Sequence, residues 1–207
     1  MKDQSTSING VSLIFPGPSI EGLDLSQLDD TLIVTVNMAL TRFDARYCLV
    51  DKFECMRALM YYFRIKNDLS IRYTRPVRSE LSEHHVVDHR SGETLSEIIL
   101  KAESDGVWES HKNIVASAID FCYSLEAKYL NIYGLDLCSP EMKTHAYSMG
   151  STLGNGQRYS GGYWISDEWQ HTADTVSQLN LEGRWSGLQI INRSPVSILT
   201  CFEKEQS

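Results

Sequence analysis

Five short apolar runs constrain this chain more than any other feature. Val11 to Phe15, Leu32 to Val36, Tyr47 to Val50, Tyr129 to Tyr133 and Leu188 to Ile191 are rich in Val, Ile, Leu and Tyr and do not alternate cleanly with polar residues. A strand with one solvated face alternates, whereas a strand covered on both faces reads as a continuous apolar run. The runs are therefore expected to form a mainly parallel sheet. Helical periodicity stands between them. Asp51 to Lys66 carries Phe53, Met56, Leu59, Met60 and Phe63 on one face. Lys112 to Lys128 carries Ile114, Val115, Ala118, Ile119, Cys122 and Leu125, with Ser110 as its expected N-cap. Asp167 to Leu181 is a weaker helical stretch, and Pro195 to Phe202 reads as a short terminal helix with Pro in its first turn. Strands alternating with helices predict right-handed βαβ units and a three-layer, Rossmann-like α/β fold.

A chain of 207 residues suits that fold as one nucleotide-binding domain over residues 1–207. Hydrophobic residues at 42% and charged residues at 22% exclude a disordered chain. The formal net charge of -8 disfavours nonspecific binding to nucleic acid, which needs a basic surface. No apolar run is long enough to span a bilayer, and the polar start MKDQSTSING lacks the apolar stretch of a signal peptide. A cytoplasmic location is expected, and homo-oligomer formation is left open. The cysteines, at 48, 55, 122, 138 and 201, are odd in number and show no CxxC spacing. They are read as buried reduced thiols, and zinc is disfavoured because no Cys/His cluster has ligand spacing.

Two stretches lack a core pattern. Ser70 to Ser104 is polar, with Arg72, Arg75, Arg78, His84, His85, His89 and Arg90, and holds at most a strand at Ser70 to Tyr73 and a helix near Thr94 to Lys101. Ser139 to Tyr163 is glycine-rich, with Gly150, Gly154, Gly156, Gly161 and Gly162, and is expected to be a lid or acceptor loop.

In an open α/β sheet, ligands bind beyond the carboxyl ends of the strands, and that rule ranks the candidate residues. Pro16-Gly17-Pro18-Ser19 follows the first strand: Gly17 permits close backbone approach, and Ser19 offers a hydroxyl and an N–H. The segment matches neither GxGxxG nor GxxxxGK[ST], and it reads equally as a tight turn. Asn37 follows the second strand, where it can meet a ribose or base or cap a helix. Asp51 follows the third strand and Asp136 the fourth long one. After the glycine-rich stretch come Arg158, Tyr159, Tyr163, Trp164, Trp169 and His171. Arg158 can neutralise a phosphate, and His171, near the start of a helix, has the reference pKa of a general base. Asp167 and Glu168 are the alternative bases. No Asp-x-Asp occurs, which argues against a divalent ion held in the usual nucleotide-sugar manner.

Val11-Ser-Leu-Ile-Phe-Pro-Gly-Pro-Ser19, Leu25-Ser-Gln-Leu28 and Val34-Thr-Val-Asn37 resemble the start of the bacterial sialyltransferases of glycosyltransferase family 42, and of a related 6-hydroxymethylpterin diphosphokinase-like domain. Lys112 to Asp136 is similar to their later βα unit, and Ile190-Ile191-Asn-Arg-Ser-Pro195 to their final strand and helix. The resemblance implies a CMP-sugar donor and a metal-independent, inverting transfer to a saccharide, with no resident cofactor. It implies contacts to the sugar donor at Gly17, Pro18, Ser19, Asn37, Asn113 and Asp136, and His171 close to the place of the catalytic His across a one-residue gap. Three departures stand out. Pro16 replaces an Asn, Lys112-Asn113 stands where the family has Thr-Ser-Gly, and Cys138 replaces a Tyr, so that tyrosines stabilising the leaving phosphate would come from Tyr147 or Tyr159, beside Arg158. Two other readings use the same fold. One is a Mg²⁺-dependent diphosphotransferase with Asp51 and Asp136 as carboxylate ligands; the other is a nucleotide-binding module without catalysis.

Overall fold

The computed structural model describes residues 8–28, 31–43, 45, 47–50, 85–88, 113–139, 158–160 and 162–204. Their apolar runs form the expected sheet. Strands β1 (Gly10–Ile14), β2 (Leu32–Val36), β3 (Tyr47–Val50), β4 (His85–Asp88) and β5 (Tyr129–Tyr133) are joined by β8 (Gln189–Asn192) and β9 (Glu203–Lys204) in the order β4-β3-β2-β1-β5-β8-β9. All neighbouring pairs are parallel except β3 with β4. The first and last long strands begin one residue away from the expected bounds. Strand β4 lies inside the polar stretch 70–104, where a strand was expected at 70–73 instead. The expected elements at 51–66, 70–73 and 94–101 lie outside the described residues.

Burial explains the continuous runs. Val11, Leu13, Val34, Val36, Leu130, Ile132 and Ile190 face one core, which is closed by helices α1 (Ile114–Ser124) and α2 (Asp167–Leu181). Ile14, with Ile33 and Tyr133 partly buried, meets Ile20, Leu28, Ala39 and Phe43 on the opposite side. Ile20, Leu28 and Ala39 come from short 3₁₀ turns at Pro18–Gly22, Leu25–Leu28 and Asn37–Thr41, and Phe43 follows the last of them, in the connections between β1, β2 and β3. The architecture is Rossmann-like α/β, with 3₁₀ turns where a full helix often crosses. Among the described residues no helix is long and apolar enough to cross a membrane.

Helix α1 starts later than its apolar pattern suggested. Asn113, and not Ser110, is the N-cap: its Oδ1 accepts from the Val115 N–H at 2.9 Å and the Ala116 N–H at 3.4 Å. Helix α2 has the expected bounds, with the Ser166 hydroxyl accepting from the Trp169 N–H at 3.1 Å. The terminal helix expected at 195–202 is absent. Asn192 Oδ1 accepts from the Ser194 N–H, and the Ser197 hydroxyl oxygen accepts from the Leu199 N–H. Asn192 Nδ2 donates to the Leu199 carbonyl. These side chains engage backbone groups that a helix needs, so the segment folds into turns.

A buried polar cluster fixes α1 to the turn before β8. Asp120 is fully buried, and its Oδ1 accepts from Trp185 Nε1 at 2.7 Å and Arg184 Nε at 3.3 Å. Its Oδ2 pairs with Arg184 Nη2 at 3.3 Å. Removing one member of a buried charged network leaves the others desolvated and unpaired. Asp120→Ala is therefore expected to cost about 3 kcal/mol, read in urea as a lower midpoint with unchanged slope. A loss below about 1 kcal/mol would show that water takes over the role of Asp120.

Candidate functional site

The strand order reverses at β1: β2 and β3 lie to one side, β5 and β8 to the other. The carboxyl ends of β1 and β5 therefore flank the topological switch point, where open α/β sheets hold their ligands. Both loops are tied together there. The Phe15 N–H donates to the Tyr133 carbonyl at 2.8 Å, and the Gly17 N–H to the Gly134 carbonyl at 3.0 Å. The Ser19 N–H donates to Asp136 Oδ2 at 2.8 Å, and its hydroxyl to Asp136 Oδ1 at 2.5 Å.

Glycine is required on both sides of this contact. A Cβ on Gly17 would stand 2.2 Å from the Gly134 carbonyl oxygen and 2.7 Å from Asp136 Oδ2. A Cβ on Gly134 would stand 2.2 Å from the Phe15 carbonyl oxygen, and its φ of 68° is itself unfavourable for other residues. Gly17 thus brings two backbones together. This is the close backbone approach that its place in the turn suggested.

The loop after β5 is held from two further directions. The Leu135 N–H donates to the Ser194 hydroxyl oxygen at 2.8 Å, the Ser197 hydroxyl donates to the Leu135 carbonyl at 2.5 Å, and the Ile198 N–H donates to the Asp136 carbonyl at 3.2 Å. Beyond it, Ser139 and Trp164 exchange N–H···O bonds of 2.9 and 2.7 Å. They anchor a hairpin of β6 (Arg158–Ser160) and β7 (Tyr163–Ile165) beside the loop. The end of the glycine-rich stretch is thus strand, and 140–157 lies outside the described residues. The Ser139 hydroxyl is buried without a hydrogen-bond partner among the described residues.

Backbone strain marks the same edge. Of the three non-glycine residues with positive φ among those described, Asn37 (50°) directly follows β2 and Leu137 (53°) follows Asp136. Glu126 (58°) merely follows the C-cap of α1. Non-glycine residues in this region persist where surrounding bonds over-determine them, and they cluster at functional sites. Asn37 does not cap a helix, since its own 3₁₀ turn begins with it and is preceded by Val36.

The other expected residues divide clearly. Helices α1 and α2 each run back to the amino end of the next strand, β5 and β8, so Asn113 and the Ser166 end of α2 lie at the carboxyl edge. Asn113 Oδ1 is engaged by its cap. His171 is exposed, on the side of α2 opposite Ala173 and Val176, and Asp167 and Glu168 are exposed in the first turn. Arg158 and Tyr159 belong to β6. Tyr147 and Asp51 lie outside the described residues. Cys48, Cys122 and Cys138 are free and buried, and Cys201 is free and half-buried. Burial, with the nearby Asp136 carboxylate, pushes the Cys138 thiol up to about 11.

Sequence reasoning missed the partners of Asp136 and its loop: Ser19 as its hydrogen-bond donor, Ser194, Ser197 and Ser139. Only their Ser-rich, helix-breaking context hinted at them. No protein-family model, curated protein or solved structure matches the chain.

Two outcomes are expected. Gly17→Ala should cost about 1–3 kcal/mol, whereas Gly22→Ala, whose methyl meets nothing within 4 Å, serves as the neutral control. Equal stability of the two variants in denaturant would remove the packing role. The second outcome concerns pH. Asp136 is only 2% exposed, and burial raises its carboxyl pKa although both bonds from Ser19 lower it. A carboxyl raised in the fold stabilises most below its unfolded pKa, about 3.9, and that contribution is lost as pH rises through the folded value. Asp136→Asn should therefore gain in melting temperature relative to wild type between pH 4 and pH 7. A difference that does not change with pH would show that the charge carries no penalty.

Proposed function

We propose that the chain binds a nucleotide-activated sugar, with a CMP-sugar favoured, over the carboxyl ends of β1, β2 and β5. It then transfers the sugar to a saccharide acceptor. The observation that carries this reading is the meeting of Gly17 and Ser19 with Gly134 and Asp136 at the switch point, beside Asn37 after the carboxyl end of β2. The resemblance to family 42 glycosyltransferases joins the same residues. The absence of Asp-x-Asp from the sequence supports a metal-independent transfer.

Inverting transfer to an alcohol needs a group that takes the acceptor's proton as the new glycosidic bond forms. A positioned base contributes about a hundredfold to ten-thousandfold in rate. In this reading His171 is that base, and its outward position on α2 requires the acceptor to reach it from the solvent side. Arg158, with Tyr159 or Tyr147, supplies charge and hydrogen bonds to the leaving phosphate.

A thermal-shift titration tests binding, because a ligand of the folded state raises the melting temperature. Stabilisation by CMP without Mg²⁺ is expected. Stabilisation by ATP only with Mg²⁺ would favour the diphosphotransferase, and binding without transfer from any CMP-sugar would leave a binding module. His171→Ala should lower kcat at least about a hundredfold with nucleotide affinity unchanged. A variant that keeps its turnover removes His171 from the chemistry.

A further inference from the structure

The turn after β1 has no hydrogen-bond donor left to offer. Pro16 and Pro18 have no N–H. The N–H groups of Phe15, Gly17 and Ile20 donate to the carbonyls of Tyr133, Gly134 and Gly17 at 2.8, 3.0 and 3.3 Å. Ser19 gives both its N–H and its hydroxyl proton to the Asp136 carboxylate. A serine hydroxyl carries one proton and two lone pairs. At 2.5 Å, within the range for a hydroxyl bonded to a carboxylate, that proton is committed. What the half-buried Ser19 presents to anything else is lone pairs.

Loops that cradle phosphate do the opposite: they converge N–H groups on the anion. A phosphate at this turn would meet carbonyls, hydroxyl lone pairs and the Asp136 carboxylate. A ribose brings two O–H donors and suits these acceptors.

Resting on the proposed nucleotide reading, we infer that the β1 turn is an acceptor-only surface, set by the Asp136–Ser19 bonds, that takes the ribose hydroxyls of the nucleotide and turns away its phosphate. Asp136 is the positioning residue, since it acts through Ser19. Its isosteric amide reverses the polarity. In Asp136→Asn the amide oxygen can still accept from the Ser19 N–H, while the amide nitrogen donates to the Ser19 hydroxyl oxygen. The hydroxyl proton is then free to point outward.

Titration calorimetry on the full chain with CMP and with 2′,3′-dideoxy-CMP tests this. Wild type should bind CMP about tenfold more tightly than the dideoxy compound, the worth of one well-made hydrogen bond. Ser19→Ala should lose that preference by weakening CMP alone. Asp136→Asn should also bring the ratio towards one, with circular dichroism confirming the fold of each variant. Equal wild-type affinities, or a Ser19→Ala change that weakens both ligands alike, would overturn the inference while leaving nucleotide binding in place. Failure of CMP, UMP, GMP and AMP all to bind at millimolar concentration would overturn the nucleotide reading, and this inference with it.

Discussion

The close approach of two backbones at Gly17 and Gly134 governs the carboxyl edge of this fold. With a hydrogen at each Cα, the β1–β5 ladder continues past the ends of both strands, through Phe15 to Tyr133 and Gly17 to Gly134. That continuation sets the separation of the two loops, and the separation in turn brings Ser19 within reach of Asp136. A methyl group at either position would push the loops apart, and the carboxylate would lose both of its bonds from Ser19 together. The sheet itself would survive such a change, since its register is fixed by the apolar pairs of β1 with β2 and β5. The steric demand therefore lives at the level of the site, and the hydrophobic demand at the level of the fold.

Asp136 shows how finely that edge is balanced. Burying a carboxylate costs several kcal/mol, and each hydrogen bond to a charged group returns about 1.5–3 kcal/mol. Two bonds from Ser19 therefore offset part of the burial cost and burial still outweighs them, in keeping with the upward direction of the shift. A pair of apolar residues could close the same contact more cheaply. What the carboxylate adds is direction: it fixes where the Ser19 proton lies. Asp120 is the contrasting case. It takes three N–H donors, from Arg184 and Trp185, and serves to lock a helix to a turn.

The legible part of this structure was whatever depended on local pattern. Leu32–Val36, Tyr47–Val50 and Tyr129–Tyr133 stand as read, because residues buried on both faces must be apolar. Asp167–Leu181 was read with its observed bounds, although its Ser166 cap was not singled out in the sequence. Errors arose where short polar side chains had several backbone partners to choose from. Asn113 took the cap expected of Ser110, and Asn192, Ser194 and Ser197 broke the helix expected at 195–202. The site was half legible. The strand-end rule found Gly17, Ser19, Asn37 and Asp136 separately. Nothing local could join Ser19 to Asp136, which are 117 residues apart. Nor could it show that Gly17 faces a carbonyl.

The two ends of the sheet are built from different materials, and the difference bears on function. The turn from α2 into β8 carries Trp185, packed on Phe202 with ring centroids 6.0 Å apart, and the Asp120–Arg184 pair. Large side chains fill that region and bring its polar groups together. At the carboxyl edge the contacts are made by glycine, serine and the backbone, with Leu135 held through its own N–H and carbonyl by Ser194 and Ser197. Short side chains that bond the main chain rigidify a loop without covering it. Such a loop keeps its shape when a ligand arrives, so little ordering entropy is lost on binding. Leu137, with its positive φ, lies in the loop that these bonds hold. The edge is thus held by backbone and short polar groups where the proposed ligand would be oriented. In the proposed reading, specificity there would rest less on the shape of large side chains than on which backbone and hydroxyl groups remain to be satisfied.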